Sequence, residues 1–234
     1  MGLPLSLVVF AFNEADNVTV VLPQILGWLE GRGAPFELLF VDDGSTDGTG
    51  ESARAVLADR PQGKVLRHEK NRGIGAALKT GVAAASLPWV TFLPCDGQIA
   101  PGSLEALTDA AEAQGLDVVF SVYRDRDDGW HRTLLSAGIR GLIFALFRVP
   151  MRSDGPYLFK RALFDPAVLV PDSFFLNFEF PIRALREGVR HAVVPIHCLP
   201  RVSGQSKSTG LRRIAGVARD LVSLRLRLGL RPRR

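Results

Sequence analysis

The stretch FELLFVDDGSTDGT, residues 36–49, decides the fold class of this chain. It begins as a short apolar run and changes at Asp42 to aspartate, glycine, serine and threonine. An apolar run of this length predicts a buried strand of a parallel sheet, and the polar run predicts a turn that leads into a helix. Turn and cap chemistry accounts for Ser45 and Asp47 without any binding role. It accounts less well for Asp42 and Asp43, which still belong to the strand, so we interpret this pair as candidate site residues.

The same alternation of strand and helix patterns extends over the first half of the chain. The predicted strands are 5–12, 36–43, 65–68, 89–93 and 117–122, and the predicted helices are 17–32, 48–59, 73–85 and 102–114. This order predicts an α/β fold with a mostly parallel, Rossmann-like sheet and helices on both faces. Ligands of such folds bind at the carboxyl ends of the strands.

Polar residues follow four consecutive predicted strands at the point where each strand ends. They are Asn13, Glu14, Asp42, Asp43, Asn71, Arg72, Asp96 and Gln98. We therefore expect one polar rim at the carboxyl edge of the sheet, and a ligand bound there.

The second half alternates less regularly. It contains a predicted helix over 131–149, a helix that ends at Gly188, a strand over 191–196, and a Gly/Ser-rich loop over 200–210. Residues 211–224 follow as an amphipathic helix with leucine, isoleucine and valine on one face and arginine on the other. Two interpretations of this helix remain open: it lies in a membrane interface, or it packs on the protein body.

The charge is concentrated at the C-terminal end. The chain of 234 residues carries a net charge of +5, whereas residues 211–234 alone hold eight arginines and one aspartate, a balance of +7. An anionic surface is the partner that such a tail fits. Because no aromatic residue lies between these arginines, we predict no nucleic-acid partner.

Other sequence features bound the class of protein. Two cysteines give no disulfide framework, and the histidines lack metal-ligand spacing. No apolar run reaches the roughly 18 residues that span a bilayer, and no signal peptide is evident. We therefore expect a cytoplasmic protein, located at the cytoplasmic face of the membrane if the C-terminal helix binds there.

Several motifs together resemble one known family. The segments VVFAFNEADNV, ELLFVDDGSTDGT, EKNRGIGAALKTG, FLPCDGQIAP and RVSGQSK occur in the order typical of family 2 glycosyltransferases. The resemblance spans residues 5–207 and is strongest to the polyprenyl-phosphate, dolichyl-phosphate mannose synthase-like branch. It implies a GT-A fold, a GDP- or UDP-sugar donor, Mg²⁺ or Mn²⁺ as cofactor, and inverting transfer of a hexose.

The resemblance also implies roles for individual residues. Phe12 and Glu14 match residues that line the base and ribose pocket, and Asp42 and Asp43 match nucleotide-reading carboxylates. The nucleotide-binding set predicted on this basis is Phe12, Glu14, Asp42, Asp43 and Asn71. Asp96 and Gln98 match metal and diphosphate ligands. The catalytic set consists of Asp96, of Arg124 near the phosphates, and of Arg201 and Lys207 as the basic pair of a closing loop.

The chain departs from the family at the metal motif. Pro94 stands where an aspartate is usual, and Phe10 stands where a proline is usual in the first strand. In an extended segment residues 94, 96 and 98 project to the same side, so we expect Asp96 and Gln98 to face one ion. Mg²⁺ is usually held by one or two carboxylates plus substrate phosphates, so this reduced set is sufficient.

The sequence thus predicts a glycosyltransferase domain over 1–207 and a basic amphipathic tail over 208–234. The predicted acceptor is polyprenyl phosphate, and the predicted contact with the membrane is peripheral. A saccharide or another lipid acceptor is the first alternative, and a noncatalytic nucleotide-sugar-binding protein is the second. Glu179 is the one side chain that we retain as a candidate base, although a structural role fits it better.

Overall fold

The computed structural model describes residues 2–124, 129–199 and 211–229; for 129–135 and 211–215 the description covers the backbone only. The strands are β1 (Leu5–Ala11), β2 (Phe36–Asp42), β3 (Gly63–Arg67), β4 (Trp89–Pro94), β5 (Val118–Tyr123), β6 (Leu158–Lys160) and β7 (His191–Ile196). The helices are α1 (Ala15–Gly31), α2 (Thr49–Leu57), α3 (Ile74–Ala84), α4 (Glu105–Gln114), α5 (Gly129–Phe147), α6 (Leu176–Arg186) and α7 (Leu211–Leu228).

The strands form one sheet in the order β3-β2-β1-β4-β6-β5-β7. Strands β1 to β4 are mutually parallel, and β7 is parallel to β5. Only β6, which the sequence reading did not predict, pairs antiparallel, with β4 on one side and β5 on the other. The predicted mostly parallel α/β sheet is therefore confirmed, and the carboxyl ends of every strand except β6 meet at one edge.

Two apolar layers cover the faces of the sheet. One face packs against α1, α2 and α4, with Leu7, Val9 and Leu38 in its core. The other packs against α3 and α6, with Val8, Phe92 and Phe180 in its core. Successive residues of β1 thus face opposite layers, as expected of a strand that is buried on both sides.

Helix α7 packs on the protein body. Leu221 and Leu224 have no solvent exposure and lie with Ile143 of α5 and Ile182 of α6 in a further apolar cluster. Of the two interpretations of the tail, the structure therefore shows the packed helix, and the apolar face that contains Leu221 and Leu224 is not available to a membrane. Among the described residues, no helix combines the length and the apolar character needed to cross a bilayer.

Candidate functional site

The strand pairing brings the predicted site residues to one rim. Ala11 of β1 lies opposite Asp42 of β2, and Phe10 lies opposite Pro94 of β4. Arg67, the last residue of β3, lies opposite Asp42 on the other side of β2. The polar residues that follow β1, β2, β3 and β4 therefore leave neighbouring strands at the same edge. The rim predicted from the four strand ends is confirmed as a structural feature.

The loop between β2 and α2 completes the start of α1. This helix has no side-chain cap of its own, since Glu14 occupies the cap position without such a bond. Side chains of the loop and of the first residue of α2 instead accept hydrogen bonds from three consecutive backbone N–H groups at the start of α1, which have no partner within the helix. The pairs are Asn13 to Ser45 Oγ at 2.9 Å, Glu14 to Thr49 Oγ1 at 2.9 Å, and Ala15 to Asp47 Oδ2 at 3.1 Å. The hydroxyl and carboxylate residues of the motif thus fix the shape of the rim.

Asp42 is fully buried at the end of β2. Its Oδ1 accepts the Ser45 N–H at 2.9 Å, and its Oδ2 lies 3.4 Å from Nε of Arg67 but has no hydrogen-bond partner. A Cβ on Gly50 would lie 2.5 Å from that Oδ2, so α2 begins in direct contact with the carboxylate. The Arg67 guanidinium and the start of α2 therefore enclose this oxygen.

Asp43 is also buried, and protein donors surround its carboxylate. The backbone N–H groups of Arg72 and Gly73 donate to it at 2.9 and 2.8 Å. Nδ1 of His68 lies 2.7 Å from Oδ1, and the other ring nitrogen of this histidine contacts Thr80 Oγ1 at 2.9 Å. The described contacts of Asp43 therefore hold the turn after β3, which also presents the exposed Asn71.

The segment after β4 does not continue as a strand. Strand β4 ends at Pro94, and Gly97 has a φ of 72°, in the left-handed region that glycine tolerates best. Asp96 Oδ1 accepts the backbone N–H of Gln98 at 3.1 Å, which is typical of an aspartate-led turn. The expectation that residues 94, 96 and 98 share one side of an extended segment was therefore wrong, because period-2 alternation holds only within a strand.

The carboxylates at the rim also affect Cys95. Burial, together with the negative charges of Glu14 and Asp96, raises the pKa of its thiol to about 12. Both carboxylates therefore lie close enough to act on one buried atom between β1 and β4. Asp96 itself is buried, with 6% exposure.

The chain after β7 returns to the same turn. Leu199 N–H donates to the carbonyl of Gln98 at 2.8 Å, and Arg124 N–H donates to Ile196 at 2.9 Å. The Arg124 side chain is exposed at the end of β5. Arg201 and Lys207, predicted on the closing loop, lie outside the described residues.

The donor set at the turn fits a hard divalent cation. A carboxylate and an amide oxygen are ligands that Mg²⁺ and Mn²⁺ accept. Within the described part of the chain, no group of three or more His, Cys, Asp or Glu side chains is arranged to hold a metal ion. Asp96 and Gln98 would therefore supply part of a coordination shell, and a diphosphate would supply further oxygens.

The N-terminus of α3 is occupied by the protein itself. Asp172 accepts the Ala76 N–H through its backbone carbonyl at 3.0 Å, and its carboxylate lies 2.9 Å from Nζ of Lys79. The hydrogen bond from Lys79 helps to lower the pKa of Asp172 below its ordinary value. A Cβ on Gly75 would lie 2.5 Å from the Ser173 carbonyl oxygen, so this glycine is needed for close packing. The glycines that open α3 therefore serve contact with another loop.

An apolar pocket of about 120 Å³ opens beside Pro94. Asn177 and Phe178 of α6 line it, and Glu179 does not. Glu179 is fully buried and receives hydrogen bonds from Arg183 and from Arg227 of α7. These contacts support the interpretation of Glu179 as a structural residue. Sequence reasoning missed Asn177, which is half-buried two residues before the buried Glu179. Residues two apart on a helix point to nearly opposite sides, so the amphipathic pattern of α6 was the signal that could have indicated it.

Comparison with known proteins identifies the family. The family described as Glycosyl transferase family 2 matches residues 6–170, which is more than half of the chain. This chain belongs to glycosyl transferase family 2. The match covers β1 to β6 and the whole rim except the segment after β7.

Curated relatives of this family 2 member agree with the predicted branch. An undecaprenyl-phosphate 4-deoxy-4-formamido-L-arabinose transferase of Edwardsiella ictaluri is 31% identical over 221 residues, covering 93% of this chain and 66% of that protein. The protein of the same name from Aeromonas hydrophila is 29% identical over 227 residues, with the same coverage. The chain thus spans about two thirds, at 66%, of the length of these relatives.

Solved structures confirm the GT-A fold. Glucosyl-3-phosphoglycerate synthase from Mycobacterium tuberculosis, in complex with Mn²⁺, UDP and phosphoglyceric acid, superposes with a TM-score of 0.71 at 25% identity. That match covers 97% of this chain and 78% of the other. A mannosyltransferase from Pyrobaculum calidifontis, in complex with GDP-Man and Mn²⁺, shares the fold with a TM-score of 0.65 at 20% identity, over 88% of this chain and 59% of the other.

Proposed function

We propose that this family 2 member transfers a hexose, with inversion, from a GDP- or UDP-sugar to polyprenyl phosphate at the cytoplasmic face of a membrane. The observation that carries the proposal is the convergence of three segments at the Asp96 turn. The ends of β1 and β4 meet there, and the Leu199 hydrogen bond brings in the chain two residues before Arg201. The curated relatives act on undecaprenyl phosphate by name, which supports the choice of acceptor.

The donor nucleotide binds at the rim beside β1, β2 and β3 in this proposal. The ring of Phe12 stacks on the base, and the Glu14 side chain, held by a hydrogen bond from Asn17, faces the ribose. Asp42, whose carboxylate lies 3.4 Å from Nε of Arg67, supports this pocket from the end of β2. Asp43 acts by positioning, because its hydrogen bonds hold the turn that presents Asn71.

Asp96 and Gln98 hold the divalent cation in this proposal, and Mn²⁺ in the neighbours' complexes supports such a cofactor. When bound, the cation would neutralise negative charge on the diphosphate. The exposed Arg124 guanidinium, with Arg201 and Lys207 of the closing loop, stabilises the negative charge that develops as the nucleoside diphosphate leaves.

The acceptor requires orientation more than activation. A phosphate oxygen of a polyprenyl phosphate is already anionic at neutral pH, so no general base has to remove a proton from it. The buried position of Glu179, between the guanidinium groups of Arg183 and Arg227, agrees with this chemistry. Arg140 on α5 lies 3.9 Å from Asp154 at the pocket, where its charge is placed to attract the acceptor phosphate.

Contact with the membrane is peripheral in this proposal and uses the outward surfaces of α5 and α7. Phe144 is 49% exposed on α5, and Val222 and Leu226 of α7 are 48% and 77% exposed. The exposed guanidinium of Arg219 lies on the same helix, and each basic residue near an anionic leaflet contributes about 1 kcal/mol. Apolar side chains with arginines beside them suit a lipid interface.

The test is transfer of radiolabelled sugar from UDP- and GDP-hexoses to undecaprenyl phosphate, with Mn²⁺ and with Mg²⁺. We expect an organic-extractable, mild-acid-labile product, and about a 10²–10³-fold lower kcat for Asp96→Asn, since charge stabilisation at the diphosphate is lost. Asp59→Asn is the matched control, because Asp59 is exposed beyond the end of α2.

Three results would contradict the proposal or a part of it. Product that is exclusively water-soluble would indicate a saccharide or other soluble acceptor. Donor binding without turnover on any acceptor would indicate a noncatalytic nucleotide-sugar-binding protein. Unchanged turnover in Asp96→Asn would remove the role given to that carboxylate.

A further inference from the structure

The pocket beside the Asp96 turn has an apolar wall built by two neighbouring strands. Phe10 of β1 and Pro94 of β4 are direct cross-strand partners, and both line the pocket. Phe92, two residues before Pro94, adds a third apolar side chain, with its ring centroid 6.1 Å from that of Phe10. Phe10 and Pro94, two of the positions at which this chain departs from the family pattern, thus form one continuous surface.

The opposite wall is formed by α6 and the residues before it. Phe174 and Phe178 line the pocket and contact each other edge to face, with ring centroids 5.8 Å apart. The polar side chains that line it are Tyr123, Ser153, Asp154 and Asn177. A hydroxyl group that loses water without gaining a hydrogen bond costs about 1–3 kcal/mol, so the apolar part of the lining favours a hydrocarbon group over a sugar ring.

The pocket opens beside an exposed aromatic side chain. Phe174, which lines the pocket, is 56% exposed. Phe178 lines the pocket and also packs against the apolar cluster formed by α5, α6 and α7. The pocket therefore adjoins the helices whose outward surfaces we assign to the membrane.

We propose that this pocket binds the isoprene unit adjacent to the phosphate of the lipid acceptor. The inference rests on the proposed function, since it deepens the choice of acceptor. The branched five-carbon unit lies against Phe10, Pro94 and Phe178, while the phosphate remains outside the pocket, on the side of the Arg140 guanidinium. The pocket thereby selects prenyl phosphates over other phosphate monoesters that carry the same charge.

The test compares the affinities of two soluble probes, dimethylallyl phosphate and methyl phosphate, by titration calorimetry with the full chain. Each buried methylene increases affinity about fourfold. Dimethylallyl phosphate has four more carbons than methyl phosphate, so we expect it to bind at least about tenfold more tightly even when these carbons are only partly buried. We expect Phe174→Ala to lower this ratio about threefold, and Pro94→Asp to lower it further by placing a carboxylate in the apolar wall. Phe144→Ala is the matched control, since Phe144 has similar exposure but does not line the pocket.

The outcomes separate this inference from the proposed function. A ratio near one in the wild type, or a ratio that is unchanged in both pocket variants, would overturn the pocket assignment even if sugar transfer occurs. A tenfold ratio that falls in Phe174→Ala and stays constant in Phe144→Ala would support the assignment, even if no transfer to polyprenyl phosphate is found. If Pro94→Asp alters the preference for donor sugars and leaves the ratio intact, the pocket belongs to the donor and the inference fails.

Discussion

Replacing Glu179 by glutamine is expected to destabilise α6 and its contact with α7. The carboxylate has no solvent exposure and accepts two hydrogen bonds from Arg183, at 2.9 and 2.7 Å, and one from Arg227, at 3.1 Å. Glutamine keeps the size of the side chain but removes the charge, and charged hydrogen bonds exceed neutral ones by about 0.5–2 kcal/mol each. The side chains of Arg183 and Arg227 are 20% and 33% exposed, so water compensates part of the loss.

Summed over three bonds with this compensation, the free energy of unfolding should fall by about 3 kcal/mol. For a chain of this length the melting temperature then falls by about 6–12 °C. Thermal unfolding followed by circular dichroism measures the shift, and limited trypsin digestion detects earlier cleavage within α7. Arg227→Ala, which removes one of the three bonds, should lower the melting temperature by only about 2–4 °C.

A matched control is Arg219→Ala on the same helix. The Arg219 side chain is 82% exposed and pairs with its neighbour Asp220, so its loss should change stability by less than about 0.5 kcal/mol. A melting temperature for Glu179→Gln within about 2 °C of the wild type would refute the reasoning, because it would mean that the buried charge contributes no more than a neutral amide.

Three further predictions concern the rim and the sheet. Gly44→Ala should lower the free energy of unfolding in urea by about 1–3 kcal/mol more than Gly48→Ala. Both glycines have a positive φ, but only a Cβ at Gly44 would meet backbone, 2.3 Å from the Lys70 carbonyl carbon. Equal losses of stability in the two variants would contradict this prediction. Hydrogen bonds from two basic side chains lower the pKa of Asp117 in the folded chain. The ionised Asp117 therefore stabilises the fold above its unfolded pKa of about 3.9, and this stabilisation is lost as the pH falls towards its pKa in the folded chain. Stability curves of the wild type and Asp117→Asn should therefore converge below about pH 4, and a constant gap would disprove the linkage. Cys95, with its raised pKa, should react with a thiol reagent at pH 8 far more slowly in the folded chain than in urea, as mass spectrometry of the labelled peptide would show.

The sequence alone predicted those strands of the sheet that are long apolar runs. Strands β1, β2 and β4 were predicted within a residue or so because burial on both faces leaves a near-continuous apolar signal. Strand β6 was missed because it has three residues and owes its existence to pairing with β4 and β5. A segment this short carries no periodicity to read.

The candidate site was predictable in its location but not in its contacts. Strand ends place Asp42, Asp43 and Asp96 at one rim whatever their partners are. The donors around Asp43, however, come from residues 25–30 positions later in the chain, and only the folded structure shows that they surround its carboxylate. The turn at Gly97 similarly removed the extended geometry that spacing alone suggested for Asp96 and Gln98. The apolar pocket is assembled from β1, β4 and α6, which no local pattern connects.

The way in which α1 begins has a consequence for the order in which the chain folds. Its first amide groups are satisfied by Ser45, Asp47 and Thr49, more than 30 positions downstream. During synthesis these amides stay in water until β2 and the following loop have left the ribosome and paired with β1. The N-terminal edge of the helix is therefore completed late, and hydrogen-exchange protection at residues 13–15 should develop together with that of β2.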